Sequence, residues 1–184
     1  SFVASDWERM TEPVANMGVD ADCLGLWHFD GSLNSHKGVA VDSDALFGGG
    51  CFGQALSIAT GKHLKVPTTD ILASTGTINF RAKNLSASAN GSVLIDLPKS
   101  DNTQGLRAGI ASGGRLYIKG ATASTAYGPN KSTLTGWDSI SLAWKPERLS
   151  LVVNDEEACF IENPGLPASL GSHVFIGTDR NGAN

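Results

Sequence analysis

The chain has 184 residues, 41% of them hydrophobic and 17% charged, which is the balance of a globular domain and not of a disordered chain. Its formal net charge of −4 excludes the overall basicity of a general nucleic-acid binder. No apolar run approaches the roughly 18 residues that a membrane-spanning helix needs.

Residues 1–22 differ in pattern from the rest of the chain. Ser5-Asp6-Trp7-Glu8 starts like a capped helix, and Trp7, Met10, Val14 and Met17 lie at roughly helical spacing, although Pro13 interrupts them. The expectation is a short helix or an ordered arm, with Trp7 packing it onto the domain formed by residues 23–184. The chain starts at Ser1 with no initiator Met, which reads as a processed or partial chain.

From Cys23 the period changes to two. Residues 23–29 read as a strand turned by Asp30-Gly31-Ser32, residues 55–58 as a second, and residues 63–66 as a third stopped by Pro67. In residues 77–83, Ile78, Phe80 and Ala82 face one way, and Asn79, Arg81 and Lys83 the other. Residues 92–97 are mostly apolar; residues 106–110 bury Leu106, Ala108 and Ile110; residues 115–119 bury Leu116 and Ile118 and turn Arg115, Tyr117 and Lys119 outward. Residues 139–145 bury Ile140, Leu142 and Trp144, and residues 149–153 bury Leu149, Leu151 and Val153. A turn at Asn154-Asp155 leads into a return strand over 158–161, and residues 173–177 form one more. About ten or eleven short strands without a long helix imply a sandwich or a barrel.

Several segments, in this order, carry a likeness. They are Leu26-Trp27-His28-Phe29-Asp30-Gly31-Ser32-Leu33, Gly50-Cys51-Phe52-Gly53-Gln54-Ala55-Leu56, Thr77-Ile78-Asn79-Phe80, Trp137-Asp138-Ser139-Ile140-Ser141-Leu142-Ala143-Trp144, Leu149-Ser150-Leu151-Val152-Val153-Asn154 and Val174-Phe175-Ile176-Gly177. Over about residues 22–178 the chain resembles the concanavalin A-like lectin/glucanase superfamily, in its laminin-G-like branch. The resemblance implies an all-β, two-sheet antiparallel jelly-roll sandwich that meets ligands on a concave face or a loop rim. It also implies a further strand after the Ile-Gly strand, whereas the sequence stops at Asn184. Residues 1–22, a partner's strand or an open edge are expected in that place.

The glucanases of that superfamily set two or three carboxylates at alternate positions of one strand, as retaining hydrolysis requires. Asp42 and Asp44 have the spacing but sit in a Gly-rich, loop-like stretch; Asp20 and Asp22 precede the first strand; Asp155-Glu156-Glu157 are consecutive at a hairpin. No Gly-x-Ser-x-Gly is present, and His28, His36, His63 and His173 are scattered. The expectation is a non-catalytic module, with a glycoside hydrolase or polysaccharide lyase relative as an alternative.

Charge is unevenly placed. Residues 1–44 hold eight acids and two bases, and residues 77–131 hold seven bases and two acids. Arg81, Lys83, Arg107, Arg115 and Lys119 fall at outward strand positions, with Tyr117 among them. If those strands are neighbours in one sheet, they form a basic face with an aromatic centre, suited to an acidic glycan, an anionic cell-surface polymer or an acidic partner. Tyr127, in a turn-rich stretch, and Trp137 are candidates for the rim. Asp30, Asp42 and Asp44 near Gly-rich loops are candidate calcium ligands. Cys23, Cys51 and Cys159 lack Cys-x-x-Cys spacing and read as buried free thiols. Carbohydrate or cell-surface recognition within a larger surface or virion protein is the function expected, at an extracellular or virion surface and without membrane insertion or nucleic acid. The alternative is a structural or assembly domain of a phage tail or other virion protein, with other protein subunits as partners.

Overall fold

The computed structural model describes residues 23–182, other than 39, 52, 60, 84, 87, 89, 131, 132 and 135. The expected arm or helix over residues 1–22, with Trp7, lies outside the described residues. Seventeen strands and no helix are found among the described residues. The first eight are β1 (Leu26–Trp27), β2 (Ser35–Lys37), β3 (Asp42–Ser43), β4 (Leu46–Gly49), β5 (Gln54–Ser57), β6 (Leu64–Pro67), β7 (Gly76–Ala82) and β8 (Leu85–Ser86). They are followed by β9 (Ser92–Leu97), β10 (Leu106–Ile110), β11 (Arg115–Lys119), β12 (Thr125–Asn130) and β13 (Thr133–Leu134). The last four are β14 (Asp138–Lys145), β15 (Arg148–Val153), β16 (Glu156–Glu162) and β17 (His173–Ile176).

Two antiparallel sheets make the sandwich. One has seven strands in the order β12-β11-β10-β9-β17-β6-β3, the other four in the order β16-β15-β14-β7. Three two-stranded pieces, β1-β2, β4-β5 and β8-β13, flank them. Register decides which face is buried. Leu97 pairs Leu106, Ile95 pairs Ala108 and Ile176, and Ala108 pairs Ile118, so one apolar row crosses the larger sheet. The smaller sheet answers with Ile140–Val153, Leu142–Leu151 and Trp144–Leu149 pairs. These residues are almost wholly buried and form one core. The alternation of hydrophobic and polar residues therefore fixes the two sheets' facing surfaces, as a period of two must.

Several expectations change. Thr125–Asn130 is a strand, not a turn-rich loop; Pro129 fits there because β12 is the outer strand of its sheet. Asp42 likewise stands in an edge strand and not in a loop. Pro67 ends inside β6 instead of stopping it. The strand read over residues 23–29 shrinks to Leu26–Trp27, where Trp27 packs half-buried against the core. Asn154 and Asp155 take positive φ of 52° and 66°, the backbone twist that a two-residue hairpin turn requires.

The sandwich is sealed unevenly. Ile110, Leu116, Ile118, Leu142 and Leu151 are all 0% exposed. Towards β1, β5 and β7 the apolar side chains, among them Trp27, Leu56, Ile58, Ile78 and Phe80, are only partly buried and line a cleft of about 2280 Å³. The cysteines also part company: Cys51 is exposed, Cys23 half-buried and only Cys159 buried. Burial, and secondarily the charge of Glu157, pushes the Cys159 thiol up to about 11.

Leu142→Ala should cost about 2–5 kcal/mol in denaturant unfolding, because the wall around it is close-packed. Ile78→Ala, at the half-open end, should cost clearly less. A thiol reagent at pH 8 should label Cys51 rapidly and Cys159 only after unfolding, as peptide mass mapping would show.

Candidate functional site

The basic residues singled out from the sequence do not share one face. Arg107 lies on β10 and Arg115, Tyr117 and Lys119 on β11, with Tyr127 on β12; these strands are neighbours in the seven-stranded sheet. Arg81 stands on β7 of the four-stranded sheet, and Lys83 comes just after that strand. There Lys83 Nζ sits 5.2 Å from the centroid of the half-buried Trp137 ring, and Arg81 Nη1 lies 4.0 Å from Cys51 Sγ. The single basic face therefore resolves into two separate clusters.

The seven-stranded sheet carries the more organised one. Tyr127 pairs Tyr117 across β12 and β11, and Tyr117 pairs Gly109 across β11 and β10. All three share the face that looks away from the core. A Cβ on Gly109 would meet the Ser92 carbonyl oxygen at 2.3 Å and the Tyr117 ring and hydroxyl at 2.7 Å, so the ring packs against the glycine. Only the smallest residue lets an aromatic side chain settle on the backbone of the next strand. Tyr127 is 52% exposed and presents its ring to solvent. Cations flank both rings: the Arg115 guanidinium lies 5.1 Å from the Tyr127 centroid, and Lys119 Nζ 5.7 Å from that of Tyr117. Arg115 Nε donates to the Gly128 carbonyl at 3.2 Å, which fixes the side chain against β12. Burial pushes the Tyr117 phenol up, partly opposed by the Arg107 charge, so it stays a neutral donor and acceptor at neutral pH.

Arg107 stands in the next row and has a different role. It pairs Lys119 on one side and Asp96 on the other. Its Nε and Nη2 donate to both Asp96 oxygens at 3.2 and 3.0 Å, and Nη2 also reaches Asp179 at 3.4 Å. Arg180 closes the other side, with Nε at 2.9 Å, Nη2 at 2.7 Å and its backbone N–H at 3.0 Å from the Asp96 carboxylate. Asp96 is 0% exposed although it points away from the hydrophobic core. Burial alone would raise its pKa; the hydrogen bonds from Arg180 and Arg107 outweigh that and hold it below its ordinary 3.8. Arg107 thus fastens the sheet through Nε and Nη2, both of which donate to carboxylates. Asp96, Asp179, Arg180 and Gly109 do not stand out in the sequence. The one signal is a lone acid inside the apolar run Ser92–Leu97.

The three candidate calcium ligands do not converge. Asp30 Oδ1 accepts from the Gln54 backbone N–H at 3.0 Å. Asp44 Oδ1 accepts from the His63 backbone N–H at 2.8 Å and lies 3.2 Å from His63 Nδ1, and Lys62 Nζ is 3.5 Å from its other oxygen. Asp42 faces His63 Nε2 at 3.7 Å and Lys65 Nζ at 3.6 Å. Basic side chains stand where a divalent cation would need oxygen atoms. Among the described residues no group of three or more His, Cys, Asp or Glu side chains could hold a metal ion.

Asp96→Asn should destabilise the protein by about 3–5 kcal/mol at pH 7, because it leaves the Arg107 and Arg180 charges without their carboxylate. The sign with pH comes from the lowered pKa. The wild type keeps this contribution above pH 3.8 and loses it as pH falls through the still lower folded value. The gap between wild type and variant in urea unfolding should therefore narrow in acid.

No protein-family model and no curated protein sequence matches this chain. Solved structures do. Domain 4 of AbnA, a GH43 extracellular arabinanase from Geobacillus stearothermophilus solved in complex with arabinotriose, aligns over 85% of this chain and 83% of its own. The TM-score is 0.61 at 13% identity. A structure of botulinum neurotoxin type C, whose cell entry depends upon interaction with two ganglioside molecules, aligns over 84% of this chain with TM-score 0.60 and 14% identity. The binding domain of botulinum neurotoxin DC, in complex with rat synaptotagmin II, aligns over 84% with TM-score 0.57 and 13% identity. This chain spans 42% and 43% of those two neurotoxin chains. At such identity the likeness shows the fold alone, an all-β antiparallel jelly-roll sandwich, which is the fold class the sequence segments imply.

Proposed function

We propose that the chain is a non-catalytic recognition module that binds an anionic glycan or cell-surface polymer on the outer face of the seven-stranded sheet. The observation that carries this reading is the Tyr127–Tyr117–Gly109 row with Arg115 and Lys119 standing over its rings. A flat aromatic surface suits the apolar face of a sugar ring. Guanidinium and ammonium groups at its margin suit carboxylate, sulfate or phosphate substituents. The fixed Asp96–Arg107–Arg180 cluster gives that row a rigid base, and rigidity lowers the entropy lost on binding. The arabinanase domain's arabinotriose complex and the type C neurotoxin's ganglioside interaction support a saccharide on this fold. An extracellular or virion-surface setting accords with that ligand class.

Four carboxylates are poorly suited to serve as a glycosidase's proton donor. Asp44, Asp96, Asp101 and Glu157 are all held below their ordinary range. A glycosidase acid must instead be raised so that it carries a proton to the leaving oxygen.

The test is a glycan panel with neutral and acidic members, run in calcium and in chelator. The expected result is binding of acidic members in both, weakened by added salt because the pairing is electrostatic. Tyr117→Ala, Lys119→Glu and Tyr127→Ala should each lower affinity about tenfold or more. Arg81→Glu, on the other sheet, should leave it unchanged. Affinity unaltered by the first three variants would sink the assignment of this face. Equal binding of neutral and acidic members would remove its anionic part.

A further inference from the structure

One row of side chains crosses the outer face of the seven-stranded sheet from edge to edge. In register order it is Asp42, Lys65, Phe175, Asp96, Arg107, Lys119 and Thr125. Opposite charges facing each other on neighbouring strands stabilise a sheet, and like charges directly opposite destabilise it. The row obeys that rule until its end. Lys65 Nζ lies 3.6 Å from Asp42; Arg107 and Arg180 share Asp96, and Arg107 also reaches Asp179. Lys119 departs from it. Its cross-strand neighbours are a cation, Arg107, and a hydroxyl, Thr125. Among the described residues no carboxylate pairs with it.

In the row and around Asp96, Lys65, Arg107, Lys119 and Arg180 bring four positive charges, and Asp42, Asp96 and Asp179 bring three negative ones. One positive charge is left over, and it is the one at Lys119. That residue is half-buried, with Nζ 5.7 Å from the Tyr117 centroid. Water and salt screen such a charge less than an exposed one, so a fixed anion gains more from it. Arg115, on the far side of the aromatic row, is exposed and donates to the Gly128 and Tyr127 carbonyls.

The unmatched charge stands next to the aromatic surface. Lys119 follows Tyr117 by two residues on β11, hence about 7 Å further along the same face. A sugar ring resting on Tyr117 and Tyr127 puts a substituent into that gap, and one charge-assisted hydrogen bond of about 2.8 Å spans the remainder.

We propose that Lys119 is the anion subsite of this face and takes a single monoanionic group on the sugar, a carboxylate or a sulfate ester. The assignment rests on the reading of the face as a glycan site and narrows it. A phosphate monoester carries about 1.5–2 negative charges at neutral pH, more than the one charge the row lacks. Arg107 remains with Asp96, and the ligand supplies the acid that the end of the row is missing.

The test is calorimetric titration of the full chain with tetrasaccharides of galactose and of glucose, each unsubstituted or bearing one carboxylate, one sulfate ester or one phosphate ester. The carboxylated or the sulfated form should bind about tenfold more tightly than the neutral one, and the better of the two identifies the group. The phosphate ester should bind less well than that form. Lys119→Met keeps the side-chain stem and should bring the preference close to one, whereas Tyr117→Ala should weaken every form that binds. In the free protein Lys119→Glu sets an acid opposite Arg107 and should raise the melting temperature by about 2–4 °C. A preference that survives Lys119→Met, or a melting temperature that Lys119→Glu leaves unchanged or lowers, would overturn the subsite and leave the glycan face standing. A phosphate ester bound as tightly as the better monoanion would overturn the single-charge assignment. Affinity indifferent to Tyr117→Ala, or no binding of any form, would overturn the glycan face and the subsite with it.

Discussion

A carboxylate with no exposure to water, held between two guanidinium groups, organises the outer face of the larger sheet. Asp96 belongs to the middle strand of seven, Arg107 to the next strand, and Arg180 to the stretch after β17. One anion therefore ties together three parts of the chain that meet only in the folded state. Isolated charges would be expensive to bury. Two guanidinium groups that fill both carboxylate oxygens, with a backbone N–H added, meet the demand. The neighbouring rows inherit this rigidity: Lys119 is paired with Arg107, and Tyr117 packs against Gly109, two residues further along the same strand.

The hydrophobic architecture is legible in the sequence because it depends on local alternation. Ser92–Leu97, Leu106–Ile110 and Arg115–Lys119 have the same limits in the sequence and in the structure. Residues such as Leu116, Ile118, Leu142 and Leu151 are inside because each strand has a single apolar face. Two-residue strands such as Asp42–Ser43 and Leu85–Ser86 are too short to show a period, so alternation does not reveal them. Thr125–Asn130 escapes the pattern because glycine and proline mark turns in most contexts, whereas an outer strand tolerates both.

The site is legible only in its residue types. Outward positions of Arg107, Arg115 and Lys119 can be read from alternation, but which strands are neighbours cannot. Arg81 has the same pattern and lands on the opposite sheet. Arg107 illustrates a second limit. Its outward position makes it a ligand candidate, yet Asp96 and Asp179, distant in sequence, engage its Nε and Nη2. Long-range pairing of charges leaves no local periodicity from which it could be inferred.

The uneven sealing of the sandwich also orders its stability. The closed half is built from strands that succeed one another along the chain, β9 to β12 and β14 to β16, joined by connections of two to eight residues. The half beside the cleft depends on distant partners: Leu64 pairs Ile176, and β7 reaches β14 across the whole of β8 to β13. Contacts between near neighbours in sequence close small loops and lose little chain entropy, whereas distant ones must wait for the rest to be in place. The sandwich therefore contains a locally connected meander and a more dependent flank, and local opening draws on the flank. The aromatic row of Tyr117 and Tyr127 rides on the meander, so a breathing motion at β7 leaves the proposed recognition surface standing.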